Sequence, residues 1–427
     1  MKSWKKVALG GASVLAIATL AACGSSSSSS SSKSTSTSSS STSPKDIKGD
    51  ITLWVDTTQV PMYKPVVAAF EKEYPNVKVT LTQSPTGSSN AKTDVGKDPS
   101  KAADVFELPN DQLGQMATNG WINPLSPTQA DLVKSQDVDI AVQGVTAKDS
   151  SGNKNLYGYP FAVQAKIMYY NKSKLTADDI KDWSTLTSKG TVATTITDTN
   201  NGAQYTMVPM FISNGVKLFG SDGLDLNGST FNTDAGKNVM KWIAAQKSNK
   251  GVLDASTAAI SDLQSGKADA YLDGPWDSEA IQKALGSNYA VATYPTADFG
   301  DGTKQMQSFV GIESFAVNSQ SKSQQAAAAL AEWMTSKDTQ LTVWNKQGQI
   351  PVNKDAQKDS SITNSDLAQT VIKQANFSTL MPGLPEMANM WNLSGPLIVG
   401  AYNGTITPSE YATKLAAFNT NIAKSTN

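Results

Sequence analysis

Among the side chains of this sequence, Trp276 is the best placed to hold the flat face of a ligand. It stands in Ser265-Gly-Lys-Ala-Asp-Ala-Tyr-Leu-Asp-Gly-Pro-Trp276-Asp-Ser-Glu279. There Ala268 to Leu272 reads as a short buried strand, Asp273-Gly274-Pro275 breaks it, and Asp277 to Ile281 reads as the first turn of a helix. A tryptophan between a strand end and a helix start lies on a loop at the rim of a sheet, where open α/β folds bind ligands. The competing role is packing the helix start against the core, and residue type alone does not choose between them.

The missing residue types narrow the chemistry further. The 427 residues include no histidine, and all 36 basic residues are lysine. Histidine-based triads and histidine-ligated metals are therefore excluded. Without arginine there is no bidentate fork for phosphate or carboxylate, which favours a neutral ligand. The net charge of −1 gives no reason to expect a nucleic-acid partner. Cleavage of a glycosidic bond would need two carboxylates facing across it. Nothing marks such a pair, and the adjacent Asp178-Asp179 diverge on a helix and read as a solvated helix start. The expectation is a binding protein, not an enzyme, with no cofactor and no metal. With no histidine, affinity for a neutral ligand is expected to stay nearly flat between about pH 5.5 and 8.

The amino terminus is a targeting segment. Lys2, Lys5 and Lys6 precede an uncharged stretch from Val7 to Ala22, which is too short and too early for an ordinary membrane span. The run Leu20-Ala-Ala-Cys23 holds the only cysteine and resembles the bacterial lipobox, in which the cysteine is lipidated and becomes the mature N-terminus. Gly24 to Ser43 is almost entirely serine and threonine, a composition that cannot bury a core. Such a tether has an r.m.s. reach of roughly 25 Å and a stretched limit near ~70 Å. Residues 1–22 are thus expected to be a lipoprotein signal peptide and 23–45 the lipidated cysteine and tether, holding the body at the extracellular face of a bacterial membrane.

The body must then position the aromatic and polar groups. Asp50 to Val55 alternates as a strand, Met62 to Tyr74 carries apolar residues at helical spacing, and Val77 to Leu81 is a second strand. This is a βαβ unit of about thirty residues. Ala103 to Leu108 is a third strand, followed by Pro109-Asn110-Asp111 and a helix, so Asn110 or Asp111 reads first as an N-cap. Leu156 to Gln164 and Ile167 to Asn171 are extended without an intervening helix, as where a chain leaves one domain for another. Further extended runs are Tyr289 to Tyr294 and Ser308 to Val317, and a proline-punctuated loop from Met381 to Trp391 opens the last helices. Trp54, Trp121, Trp242, Trp333 and Trp344 read as core residues. There are no internal repeats, which argues against an adhesion array.

In this order the pieces resemble the extracellular solute-binding proteins of ABC sugar importers, in particular the maltose/maltodextrin-binding proteins. The carrying stretches are Ile51-Thr-Leu-Trp54, Ala103-Asp104-Val-Phe, Tyr159-Pro160-Phe-Ala-Val, Tyr170-Asn171-Lys172, Ser265-Gly-Lys-Ala, Gly274-Pro275-Trp276, Phe309-Val310-Gly311 and Met381-Pro-Gly-Leu-Pro385-Glu-Met387 with Trp391. The resemblance implies an α/β protein with a two-lobe, periplasmic-binding-protein-like fold of the class II type. Its cleft would lie between lobes joined by about three crossover segments, with lobe 1 at 46–161 plus 312–362 and lobe 2 at 163–310 plus 366–427. Hinges would fall at Phe161–Gln164, Phe309–Gly311 and 360–366. The ligand would be a maltodextrin-type oligosaccharide, passed by the closed, monomeric protein to ABC permease subunits. The alternatives are another neutral oligosaccharide or a secreted carbohydrate-active enzyme.

On that pattern Tyr205, Trp276 and Trp391 are aromatic platforms, Met381 an apolar contact and Asp111 a hydroxyl-binding carboxylate. Gln164 replaces a sugar-binding glutamate, and an amide can still donate to and accept from hydroxyls. The chemistry agrees, because a glucan offers C–H-rich ring faces to aromatics and hydroxyl edges to polar groups. The early loop Asp56-Thr-Thr58-Gln59 lacks the family's Asp-Lys pair, Gln112 stands where the pattern has arginine, and Leu108 replaces an aromatic. The loop Gln83 to Asn90 also has no acid where the pattern has glutamate. First-lobe contacts are therefore expected to be rebuilt. Glu313 reads either as a cleft hydrogen-bonding group or as a solvated strand residue.

Overall fold

Ile51, Leu53 and Val55 alternate with less buried neighbours along β1 (Lys48–Val55), so one face of that strand is committed to the core. The helix Val60–Glu73 follows, burying Tyr63, Val67 and Phe70, and leads to β2 (Asn76–Gln83), which runs parallel to β1 with Ile51 opposite Val79. The expected βαβ unit is therefore present. The computed structural model describes residues 43–426; the expected signal peptide (1–22), Cys23 and the expected serine-rich tether up to Thr42 lie outside the described residues.

The chain continues through β3 (Val105–Pro109), a hairpin of β4 (Thr146–Lys148) and β5 (Lys154–Leu156), β6 (Tyr159–Ala165) and β7 (Ile167–Asn171). Then come β8 (Val192–Thr194), β9 (Val252–Asp254), β10 (Ala270–Asp273), β11 (Tyr289–Ala292) and a second hairpin, β12 (Thr296–Asp298) with β13 (Thr303–Gln305). The last strands are β14 (Phe309–Val317), β15 (Ile350–Pro351) and β16 (Thr379–Leu380). Two mixed sheets result, one ordered β15-β6-β14-β3-β1-β2 with β16 beside β14, the other β11-β7-β10-β8-β9. Strand β14 is buried at every position, as expected of a strand with neighbours on both sides.

The second sheet serves two cores. Met168, Val192, Ala270 and Leu272 pack with the helices that carry Met207 and Met240, whereas Tyr169, Ala193 and Tyr271 join the apolar cluster of the first sheet. The five tryptophans read as core residues pack against these clusters.

A single residue, Lys166, separates β6 of the first sheet from β7 of the second. Beside it runs the start of β14, with Gly311 opposite Gln164 and Val310 opposite Ala165. Pro160 cannot donate to a ladder, and the register between β6 and β14 shifts there, between Glu313 and Ser314. The segment 360–366, expected to hold the third crossover, is helical: Asp359 caps the turn Ser360–Thr363 and Ser365 caps the helix Asp366–Asn376, whose Ala368, Val371 and Ala375 are buried at helical spacing. Beyond it, β16 pairs its Thr379 and Leu380 with Phe309 and Val310 of β14.

Candidate functional site

The strand β10 stops at Asp273-Gly274, and Pro275 opens a turn of 3-10 helix (Pro275–Asp277) that carries Trp276. A methyl group on Gly274 would sit 2.1 Å from the indole, so one face of the ring lies directly on the glycine backbone. Trp276 is 41% exposed, the only exposed large apolar side chain among the described residues. A tryptophan that served mainly to pack the helix start would not leave this much surface in water. Tyr205, from the helix Ala203–Ser213, places its ring centroid 6.3 Å from that of Trp276 and 6.3 Å from that of Trp391. Phe309 supports both Tyr205 and Trp391 at 5.8 Å.

The opposite wall comes from the first sheet. Asn110 and Asp111 are not caps. The Asn110 side chain donates to the Met381 carbonyl at 2.8 Å and accepts from the Ile312 amide at 3.0 Å. It thereby fastens the proline-punctuated loop to β14. Asp111 accepts from Trp391 Nε1 at 2.9 Å, a bond between residues 280 apart in the chain. Gln164 at the end of β6 and Met381 beside Gly311 complete the set. All six residues expected at the site, Asp111, Gln164, Tyr205, Trp276, Met381 and Trp391, line one cavity of about 820 Å³.

The cavity also holds charged groups that the sequence reading did not single out. Asp56, Glu107, Asp273 and Asp277 line it along with Asp111 and Glu313, against two lysines, Lys92 and Lys166. Asp56 is held by the Ser88 amide at 2.6 Å and the Ser88 hydroxyl at 2.9 Å. Gln59, fixed by the Asp56 amide, donates to Glu107 Oε1 at 3.1 Å. Glu313 is a cleft residue, 8% exposed, not a solvated one. Lys166 is buried, pairs with Asp273 at 3.4 Å and donates to Thr206 Oγ1 at 3.1 Å.

A signal for these groups was present in the sequence. Glu107 interrupts the apolar run Val105-Phe-Glu-Leu108, and Asp273 and Asp277 flank Trp276. An acid inside a buried strand needs a reason.

Burial governs their proton affinities. Desolvation, then repulsion from Asp111 and Asp56, raises Glu313 to about 8. Desolvation, then Glu313 and Asp56, raises Glu107 well above the usual carboxylate range. Asp277 is pushed to about 7 by burial and by Asp273, and Asp111 is raised by burial against the opposing Trp391 and Lys92. The expectation of flat pH behaviour rested on the absence of histidine, and burial brings Asp277 and Glu313 to the upper part of the same window or its edge. Protonated carboxyls can donate as well as accept, which suits a ligand rich in hydroxyls. Among the described residues no cluster of acids is arranged to hold a metal ion.

A polar cavity with one aromatic wall, set between two mixed sheets whose crossing strands run side by side, is the ligand cleft of a periplasmic-binding-protein fold. The chain belongs to the bacterial extracellular solute-binding proteins, whose family model matches residues 66–370, a family of binding proteins and not of enzymes. It is similar to the maltodextrin-binding protein MalE1 from L. casei BL23, solved without ligand: 53% identity, 89% of this chain and 100% of that one covered, TM-score 0.82. Among curated relatives, a maltooligosaccharide ABC transporter solute-binding lipoprotein of Streptococcus pneumoniae (strain ATCC BAA-255 / R6) is 27% identical, with 94% of this chain and 93% of the relative covered. A galactooligosaccharide-binding protein of Bacillus subtilis (strain 168) is also 27% identical, with 84% and 86% covered.

Proposed function

We infer that this protein is the membrane-tethered substrate-binding component of an ABC importer, and that it captures maltodextrin-type oligosaccharides in the cleft. The observation that carries this reading is that the aromatic rings of Tyr205, Trp276 and Trp391 line one cavity of about 820 Å³ together with Asp111 and Gln164. That volume lies in the range of roughly 300–1,000 Å³ typical of small-ligand sites. Sugar ring faces would stack on the aromatics, and hydroxyls would exchange hydrogen bonds with Asp111, Gln164 and the buried acids. The similarity to a maltodextrin-binding protein at 53% identity supports an α-glucan, while the galactooligosaccharide-binding relative keeps a second sugar in the test.

The mechanism is closure. Lobes at 46–161 plus 312–362 and 163–310 plus 366–427 would rotate about Phe161–Gln164 and Phe309–Gly311, with β16 as the third strand at the hinge. A sugar touching both Asp111 and Trp276 has its full contacts only when the cleft is shut, which is the condition for a ligand to shift the equilibrium. The closed form would be recognised by a permease within reach of a tether lipidated at Cys23. Calorimetry of the body from Lys45 onward against maltooligosaccharides and galactooligosaccharides tests the reading. Saturable heat with the former is expected. Heat with the latter alone would reassign the sugar, and none with either would refute the reading.

A further inference from the structure

Glu107 and Glu313 stand on the adjacent antiparallel strands β3 and β14. Glu107 is opposite Phe315 and Glu313 is opposite Pro109, so the two acids are diagonal neighbours on the same face of the sheet. Diagonal pairs lie about 7 Å apart, within reach of long side chains. Both line the cavity, and they are only 3% and 8% exposed. Neither makes an ion pair among the described residues. Gln59 satisfies one oxygen of Glu107, but Oε2 is buried with no hydrogen-bond partner. The hydroxyl of Tyr63, fully buried near the same carboxylates, is also unpartnered. Orphaned polar atoms are costly in a folded interior, and Glu107, which carries one, lines the cavity.

The charged surroundings explain how such a pair can persist. The titratable groups facing it are Asp56, Tyr63, Asp111 and Tyr205, none of them a cation at neutral pH. The two lysines of the cavity are engaged elsewhere, Lys166 with Asp273 and Lys92 beside Asp111. With no positive charge to offset them, two carboxylates this close cannot both be ionised at modest pH.

We propose that Glu107 and Glu313 are sugar-binding residues that engage a ligand hydroxyl in protonated form, so that oligosaccharide capture is coupled to proton retention. A neutral carboxyl donates to the hydroxyl oxygen and accepts from its proton, whereas a carboxylate only accepts. Sugar in the cleft also displaces water and makes ionisation still less favourable. Binding therefore draws in a proton at pH values where the empty cleft has begun to release it. This inference rests on the oligosaccharide-binding reading above and adds two residues and a pH response to it.

The test is calorimetry of the intact body with maltotetraose, or whichever oligosaccharide binds, at pH 7, 8, 9 and 9.5 in buffers of contrasting ionisation heat. Affinity should be level up to about pH 8, then fall by up to tenfold per unit, with net proton uptake on binding. Glu313→Gln, a neutral mimic of the protonated acid, should bind at pH 7 within a few-fold of the parent and lose most of the alkaline fall. Glu107→Gln should behave likewise, and Asp277→Asn should leave the alkaline fall in place. Equal affinity at pH 7 and 9.5 without proton uptake in the parent protein would overturn the proposal, even if neither glutamine variant folds. So would an alkaline fall that survives both glutamine substitutions. Absence of heat with every oligosaccharide would refute the underlying reading, and this proposal with it.

Discussion

Removing the platform of Trp276 should weaken sugar binding without unsettling the fold, and the size of the loss follows from its exposure. A tryptophan side chain offers roughly 250 Å². At 41% exposure about 100 Å² remains for a sugar to cover. At ~25 cal/mol/Å², complete coverage is worth at most ~2.5 kcal/mol, or about 70-fold in Kd. A sugar lying on one face covers about half of that area, so Trp276→Ala should cost between about 8-fold and 70-fold. A second substitution separates platform from mere contact. Gly274 has φ −88° and ψ 174°, a conformation open to alanine, so Gly274→Ala strains no backbone. Its methyl group would nevertheless occupy the space under the indole, and the ring must tilt off its seat. Affinity should fall although the tryptophan is still present. Calorimetry with maltooligosaccharides gives Kd, and a thermal melt of the empty protein should move by no more than a degree or two for either variant. Unchanged affinity in both would refute the stacking argument. A large loss of thermal stability with affinity retained would show that Trp276 is a packing residue after all.

Three further outcomes are expected. Glu313 has its proton affinity raised from 4.5 to about 8, so the folded state binds more protons than the unfolded state between those values, and the stability of the empty protein should fall as pH rises through them. Glu313→Gln should therefore be more stable than the parent at pH 9, by at most ~5 kcal/mol, and should show no gain near pH 4.5; urea titrations that show the same difference at both would contradict this. Cys23→Ala should release the protein from cells or leave its precursor unprocessed, and unchanged detergent-dependent retention would remove the lipoprotein assignment. Small-angle scattering of the body with saturating maltodextrin should give a smaller radius of gyration than without it, whereas an unchanged value with binding confirmed by calorimetry would exclude closure as the transport signal.

Trp276 could be read from the sequence because its signals are local, a strand, a Gly-Pro break and a helix start, whereas Tyr205 and Trp391 entered only through the resemblance to the sugar-binding family. Of the acids, Asp111 entered through the resemblance and Glu313 with two readings open, while Glu107 was missed, because its meaning depends on which strands become neighbours. Glu107 and Glu313 are 206 positions apart, and only the antiparallel pairing of β3 with β14 makes them a pair. Asp111 shows the same limit. Next to a proline and ahead of a helix it resembles a cap, yet its oxygen is taken by a tryptophan 280 residues away. At 360–366 the local signals, Asp359 and Ser365 ahead of helical spacing, spelled two helix starts, and the structure shows both.

A cavity lined by six acids and two lysines, in a chain without arginine or histidine, has few ways to limit its charge. One is an ion pair, which Lys166 provides for Asp273. A second is hydrogen bonding from neutral donors, which Ser88 provides for Asp56. The third is protonation, and it falls to Glu313, which has neither, and to Glu107, which has one donor in Gln59 and an unpartnered Oε2. The absence of histidine thus removes the usual group that titrates near neutrality but not the titration itself. Burial moves carboxylates into the same range, at Asp277 to about 7 and at Glu313 to about 8. For a ligand that carries hydroxyls and no charge, this arrangement has a use. The cleft presents acceptors at Asp56, mixed donors and acceptors at the protonated acids and Gln164, and a dry aromatic face at Trp276. Each matches a different edge or face of a sugar ring, and none requires the arginine fork that the chain lacks.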